Sequence, residues 1–210
     1  MSISIDDNSL VLFQGDSVTD CGRKYEEYND LGMGYPMMIA AAFTALYPEK
    51  KLKFLNRGKS GDRVMDLERR WEKDCIDIKP SILTILIGIN DTWRRYDSKD
   101  PTSAKQFEDS YRSILTQAKK DKSMKLIIME PYLLPVMQGQ EEWTEDLDPK
   151  IQVTRKLARE FEALLIPLDG IFAQASSKVA STVWTPDGVH PTQAGHALIT
   201  NAWLKQISDK

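Results

Sequence analysis

The run Ile82 to Ile87 constrains the fold most, because it is apolar on both faces of an extended chain and Thr84 is its one polar residue. Such a run reads as a central parallel strand with helices covering each side. Four further short apolar runs surround it in sequence: Leu10 to Phe13, Leu52 to Leu55, Leu126 to Met129 and Leu164 to Leu168. Helical patterns separate them. Met37 to Tyr47 is stopped by Pro48, and Asp62 to Ile78 carries the stripe Val64, Leu67, Trp71 and Cys75 before Pro80 ends it. Ser103 to Lys120, Pro149 to Phe161 and Thr192 to Ile207 complete the helices, each with apolar residues at helical spacing. The longest structureless stretch, Leu133 to Asp148, is expected to loop over one sheet edge. With no internal repeat or linker, this alternation predicts a single α/β domain over residues 1–210: a three-layer α/β/α sandwich with a five-stranded, mostly parallel sheet.

Composition removes several classes of function. Lys and Arg number 28 against 31 Asp and Glu, for a net charge of −3, so no global positive field exists to neutralise a nucleic-acid backbone. The most apolar helical stretch, Met37 to Leu46, is about half of the ~20 residues needed to cross a bilayer. No membrane span is expected. Met1 to Asp7 carries acids where a secretory leader would carry basic residues, and cytoplasmic residence is the expectation. Cys21 and Cys75 form neither a CxxC nor a cluster with histidine, and are read as free thiols.

The polar residues that end each strand run are informative, because open parallel sheets bind ligands outside the carboxyl ends of their strands. These ends carry Gly15-Asp16-Ser17, then Asn56 with Ser60-Gly61-Asp62, then Gly88-Ile89-Asn90-Asp91; a late loop carries Asp187-Gly188-Val189-His190. A serine nucleophile needs an imidazole base near pH 7, and the chain contains only His190 and His196. His190 lies three residues after Asp187, a spacing that lets a carboxylate hold one ring nitrogen while the other faces a nucleophile. His196 lacks that arrangement and is read as a packed residue. Asp16, Asp20, Asp62 and Asp91 could together suggest a divalent cation, but Asp beside a turn more often caps a helix or accepts backbone N–H bonds. No metal and no cofactor are expected. Cys21 as a thiol nucleophile is set aside in favour of Ser17.

These four blocks, ending in Asp187-Gly188-Val189-His190-Pro191, resemble the SGNH (GDSL) hydrolase superfamily across essentially the whole chain, with Val18 where Leu is usual. The resemblance implies a flavodoxin-like sheet, Ser17 as nucleophile, His190 as general base and Asp187 as its partner. It also implies an oxyanion hole made by the backbone N–H groups of Ser17 and Gly61 and the side-chain amide of Asn90, and no metal in the chemistry. Gly58 is the alternative glycine in that block.

Within the superfamily the chain is most similar to intracellular carbohydrate acetylesterases of the acetylxylan esterase type. Asp20-Cys21-Gly22, Arg69-Arg70-Trp71-Glu72, the run Ile89 to Tyr96, and Trp184 carry this likeness. The expected activity is removal of short acyl groups, acetyl above all, from carbohydrate esters through an acyl-enzyme. Trp93 and Trp184 are the expected sugar-stacking residues, since aromatic faces pack on sugar rings. Arg57 and Arg63 have two readings, polar substrate contact or a bridge to acids such as Asp62. The competing activities are a lysophospholipase or thioesterase on the same scaffold, or a catalytically silent carbohydrate-binding protein. The partner is a small acylated carbohydrate or other ester, and the likeness also points to a homo-oligomer of unspecified symmetry.

Overall fold

The computed structural model describes residues 3–208; the first two and last two residues of the expected domain lie outside the described residues. The elements in chain order are β1 (Ile3–Ser4), β2 (Leu10–Gly15), α1 (Ser17–Asp20), α2 (Tyr35–Leu46), β3 (Lys53–Asn56) and α3 (Val64–Arg69). Next come β4 (Ile82–Leu86), α4 (Ile89–Asp97), α5 (Ala104–Ala118), β5 (Lys125–Met129) and α6 (Thr144–Glu160). The chain closes with β6 (Leu164–Ile166), α7 (Leu168–Ser176), α8 (Gln193–Leu204) and β7 (Ile207–Ser208).

Five strands form one sheet in the order β3-β2-β4-β5-β6, and every pairing is parallel. This flavodoxin-like order reverses direction at β2, so the switch-point crevice opens between the carboxyl ends of β2 and β4. The apolar run in β4 behaves as its pattern requires. Ile82 and Leu86 join the core on the α2 and α8 side with Phe13, Phe43 and Trp203. Leu83 and Ile85 face the opposite core with Leu67, Trp71 and Leu157. Thr84 is fully buried, and its hydroxyl accepts the indole N–H of Trp203 at 3.1 Å. That bond removes the desolvation cost of a polar group inside a central strand.

Several elements depart from the sequence expectation. The stripe Val64, Leu67, Trp71 and Cys75 is buried as expected, but the helix stops at Arg69 and resumes as a π-turn over Glu72–Ile76. The segment expected to loop over a sheet edge holds a 3-10 turn at Gln140–Trp143 and the first turn of α6, which runs through Pro149. Leu133, Trp143 and Leu147 pack there with Ile89 and Val189, over the carboxyl ends of the strands. Helices α4 and α7 are not apparent from periodicity. The last expected helix ends at Leu204, and β7 pairs in parallel with β1. Among the described residues no helix is long and apolar enough to cross a membrane.

Candidate active site

Strand β2 ends at Gly15, and the next residue, Asp16, caps α1 by accepting the Val18 N–H at 3.0 Å. Ser17 is thereby placed in the first turn of α1, at the switch point. Its hydroxyl lies 2.8 Å from Nε2 of His190, and Nδ1 of His190 lies 2.6 Å from Oδ2 of Asp187. An ionised carboxylate can only accept, so Nδ1 carries the proton and Nε2 is left to accept from Ser17. The spacing of Asp187 and His190 works because Oδ1 folds the loop on itself: it accepts the N–H groups of Val189 at 2.9 Å and His190 at 2.7 Å. Burial pushes the Asp187 carboxyl up, but the bonds from the His190 ring and from both N–H groups outweigh it, so Asp187 sits below the usual carboxylate range.

Asn90 is buried at the start of α4, and its Nδ2 donates to the carbonyl of Asp62 at 3.0 Å. This bond ties the Asn90 amide to the loop that holds Gly61. Next to it, buried Asp91 accepts the N–H of Val64 at 3.0 Å and so anchors the first residue of α3 to α4. The two glycines of that loop are distinguished by their surroundings. Gly61 has φ +87° and open space where a Cβ would be, whereas a Cβ on Gly58 would lie 2.4 Å from the backbone N of Asp20. Gly58 is therefore the glycine that lets the loop press against α1, and Gly61 is the exposed left-handed turn.

The four aspartates each have their own partners. Asp20 accepts the Tyr25 hydroxyl at 2.5 Å and both the N–H and hydroxyl of Ser60. Asp62 pairs with Arg70 at 2.7 Å. Among the described residues no three carboxylate, imidazole or thiol groups converge as a metal site would require. Burial pushes Asp16 and Asp91 up to about 7 against the opposing pull of the N–H groups they accept. Burial also raises the Cys21 thiol, whose Sγ is 3.3 Å from Nε2 of His196, so it lacks the thiolate character of a nucleophile.

Of the two tryptophans expected at the site, the structure brings one to the Ser–His pair. The Trp93 ring lies 5.8 Å from the His190 ring and 5.5 Å from Trp143, which stacks on Tyr96 at 5.2 Å. Trp184 instead lies in a groove of about 310 Å³ between α7 and α8, beside Ile171, Leu198 and Ala202, and packs on the core beneath. Trp184 follows the 3-10 turn at Ser181–Val183 and so lies apart from Trp93, whose aromatic neighbours are Trp143 and His190. Arg57 lies over the Tyr28 ring and donates to the carbonyls of Tyr28 and Asn56. Arg63 pairs with Asp100, and it is Arg70 that bridges Asp62 while also donating to Gln14 and to the Arg57 and Gly15 carbonyls.

Supporting residues came from outside the motif blocks. Gln140, buried in the 3-10 turn, donates to the carbonyl of Asp187 at 2.7 Å, and the Tyr132 hydroxyl donates to the carbonyl of Val189 at 2.9 Å. No spacing signal links residues so far apart in sequence. A small recess of about 10 Å³ lies among Val18, Ile87, Ile89, Pro131, Tyr132 and Val189. Three of these are direct chain neighbours of Ser17, Asn90 and His190.

Comparison with known proteins agrees with this arrangement. The GDSL-like lipase/acylhydrolase family matches residues 13–198. An acetylxylan esterase of Geobacillus stearothermophilus is 32% identical over 98% of this chain and 96% of its own length. The crystal structure of Axe2, an acetylxylan esterase from Geobacillus stearothermophilus, superposes with a TM-score of 0.90 at 32% identity, covering 98% of this chain and 97% of that one. A GDSL-like lipase structure from Parabacteroides merdae reaches 0.93 at 31% identity, with 98% of each chain covered. A serine held by an imidazole at the switch point, and a match that runs from β2 into α8, lead to one conclusion: the chain belongs to the GDSL-like lipase/acylhydrolase family.

Proposed function

We propose that this protein is a serine esterase that removes acetyl groups from carbohydrate esters, with Ser17 as nucleophile, His190 as general base and Asp187 as its orienting partner. The observation that carries this reading is the unbroken relay from Ser17 through His190 to Asp187, at 2.8 and 2.6 Å. As Ser17 Oγ bonds to the acyl carbon, its proton passes to Nε2, and the ionised Asp187 stabilises the imidazolium. The tetrahedral oxyanion is received by the N–H groups of Ser17 and Gly61 and by Nδ2 of Asn90, whose bond to the Asp62 carbonyl orients the amide before charge develops. Collapse expels the sugar alkoxide, which takes the proton from Nε2. A water molecule, deprotonated by the same nitrogen, then releases acetate and restores Ser17.

Carbohydrate as the leaving group is supported by the likeness to an acetylxylan esterase and by the aromatic wall of Trp93 and Trp143 beside His190. The short acyl group is supported by the cavity of about 10 Å³ next to Ser17. That volume is near the minimum that holds one water-sized group, which suits a methyl better than a longer chain. A hydrolysis panel crossing acyl length with sugar, lipid and thioester leaving groups tests the reading. Acetylated xylo-oligosaccharides should give the highest kcat/KM, with a steep fall over two to four added carbons, since each methylene refused is worth about 1–3 kcal/mol. Equal kcat/KM for acetyl and octanoyl esters would transfer the assignment to lysophospholipase or thioesterase activity. Failure of a fluorophosphonate probe to label Ser17 would favour the silent carbohydrate-binding alternative.

The same proposal takes residues 1–210 as one catalytic domain that works without a cofactor. Two free thiols, Cys21 and Cys75, support a cytoplasmic setting. Homo-oligomerisation rests on the family likeness, and light scattering of the purified protein measures it.

A further inference from the structure

His196, the second histidine, takes no part in the relay, yet it is buried between the elements that carry the two reacting residues. His190 leads through Pro191 and the cap residue Thr192 directly into α8, and His196 lies in the first turns of that helix. Cys21 caps the carboxyl end of α1, donating its N–H to the carbonyl of Ser17 at 2.9 Å. The imidazole of His196 joins the two. Its Nδ1 accepts the N–H of Tyr35 at 3.1 Å, so the ring hydrogen sits on Nε2, which faces Sγ of Cys21 at 3.3 Å. Tyr35 in turn places its hydroxyl 2.8 Å from Oγ1 of Thr19, inside α1. One ring therefore contacts the end of the serine turn directly and the first residue of the helix whose phenol holds that turn. There is no slack: a Cβ on Gly34 would lie 2.8 Å from both Cys21 Cβ and His196 Cε1.

We propose that His196 is a positioning residue that sets the separation of Ser17 and His190, by bracing the helix that follows the histidine loop against the turn that carries the serine. Burial, with the nearby His190 adding to it, pushes His196 down to about 4, which keeps the ring in the neutral form that this double contact needs. A residue that merely fills space would affect stability; a brace affects the reacting distance, and a misplacement of about 1 Å can cost about 10²-fold in rate.

The inference rests on Ser17 and His190 being the reacting pair, so Ser17→Ala is assayed alongside. The test is turnover of 4-nitrophenyl acetate by the full chain, with Tm recorded for every variant. His196→Asn can keep an acceptor for the Tyr35 N–H but cannot reach Cys21, whereas His196→Gln can extend a donor to Cys21. Cys21→Ala removes the sulfur from a small, partly exposed side chain and decides the matter alone if the His196 variants do not fold. Ile199→Ala, in the core face of α8, serves as the stability control. The expected result is a fall in kcat of about tenfold or more for His196→Asn and Cys21→Ala, with KM within about twofold. His196→Gln should recover part of the loss, and Ile199→Ala should lower Tm without lowering kcat. The proposal is overturned if Cys21→Ala retains kcat within about twofold, if Gln is no better than Asn, or if kcat merely follows Tm across the set, Ile199→Ala included. Retained turnover in Ser17→Ala would instead overturn the assignment of the pair.

Discussion

Replacing Asp187 by Asn separates what the carboxylate does for the loop from what it does for the proton. Oδ1 of Asp187 accepts the N–H groups of Val189 and His190 at 2.9 and 2.7 Å and lies 3.2 Å from the Thr185 hydroxyl. An Asn carbonyl oxygen can take over all three. Turning the amide around would orphan two backbone N–H groups at about 1–3 kcal/mol each, so the NH2 must face Nδ1 of His190. It can only donate there. The ring hydrogen is forced onto Nε2, which then points at Ser17 and cannot accept its proton. In other Ser-His-Asp hydrolases the same tautomer error costs about 10⁴ in kcat. Here the His190 and Asp187 side chains are 42% and 31% exposed, so water partly substitutes for the lost charge, and the expected loss is about 10²–10⁴, or roughly 3–5 kcal/mol at 1.36 kcal/mol per decade. Steady-state hydrolysis of 4-nitrophenyl acetate measures kcat, and differential scanning fluorimetry measures Tm. Asp187→Asn should leave Tm within about 2 °C of the parent, while Asp187→Ala, which loses the loop bonds as well, should drop it by several degrees at about 2–4 °C per kcal/mol. An Asn variant with kcat within tenfold of the parent would refute the tautomer argument, and equal Tm losses in the two variants would refute the division of labour.

Ser17→Ala and His190→Ala should each remove most turnover, and the double variant should lose little more than either alone, because both act in one step; additive losses would show that they do not work as a unit. Asn90→Ala should cost about 10²–10³ in kcat, and an unchanged kcat would remove its amide from the oxyanion hole. EDTA should leave the rate unchanged, whereas a loss restored by a divalent cation would reopen a metal role for the aspartates. Asp91 is pushed up to about 7 by burial, against 3.8 for its ordinary value. The folded state thus holds a proton there that the unfolded chain releases between those values, and stability is lost as pH rises through them. The Tm of Asp91→Asn should therefore gain on the parent from pH 5 to pH 8, and a difference that does not vary with pH would show that Asp91 ionises at its ordinary value.

Local pattern was enough to expect the sheet and to single out the candidate site residues. Runs such as Leu10 to Phe13 and Ile82 to Ile87 are apolar because both faces of their strands are buried, so burial writes itself into consecutive residues. Ser17, Asn90, Asp187 and His190 were legible because strand ends bind ligands and because a carboxylate three residues before a histidine can reach its ring within one loop. Helix α4 escaped notice because Asn90 to Asp97 is mostly polar and packs through Ile89, Trp93 and Tyr96, too few positions to make a helical stripe. Pro149 read as a helix start, yet α6 begins at Thr144: Pro149 is the sixth residue of the helix and removes the bond to the Glu145 carbonyl, while Leu147 and Ile151 on either side hold that stretch by packing. Only the tertiary structure decided the contacts between distant segments: Gln140 on the Asp187 carbonyl, Arg70 on Asp62, Trp93 beside His190 while Trp184 turns to the α7–α8 groove, and His196 against Cys21. Those partners are chosen by how the packed layers bring loops together in space, and a sequence period carries no record of that distance.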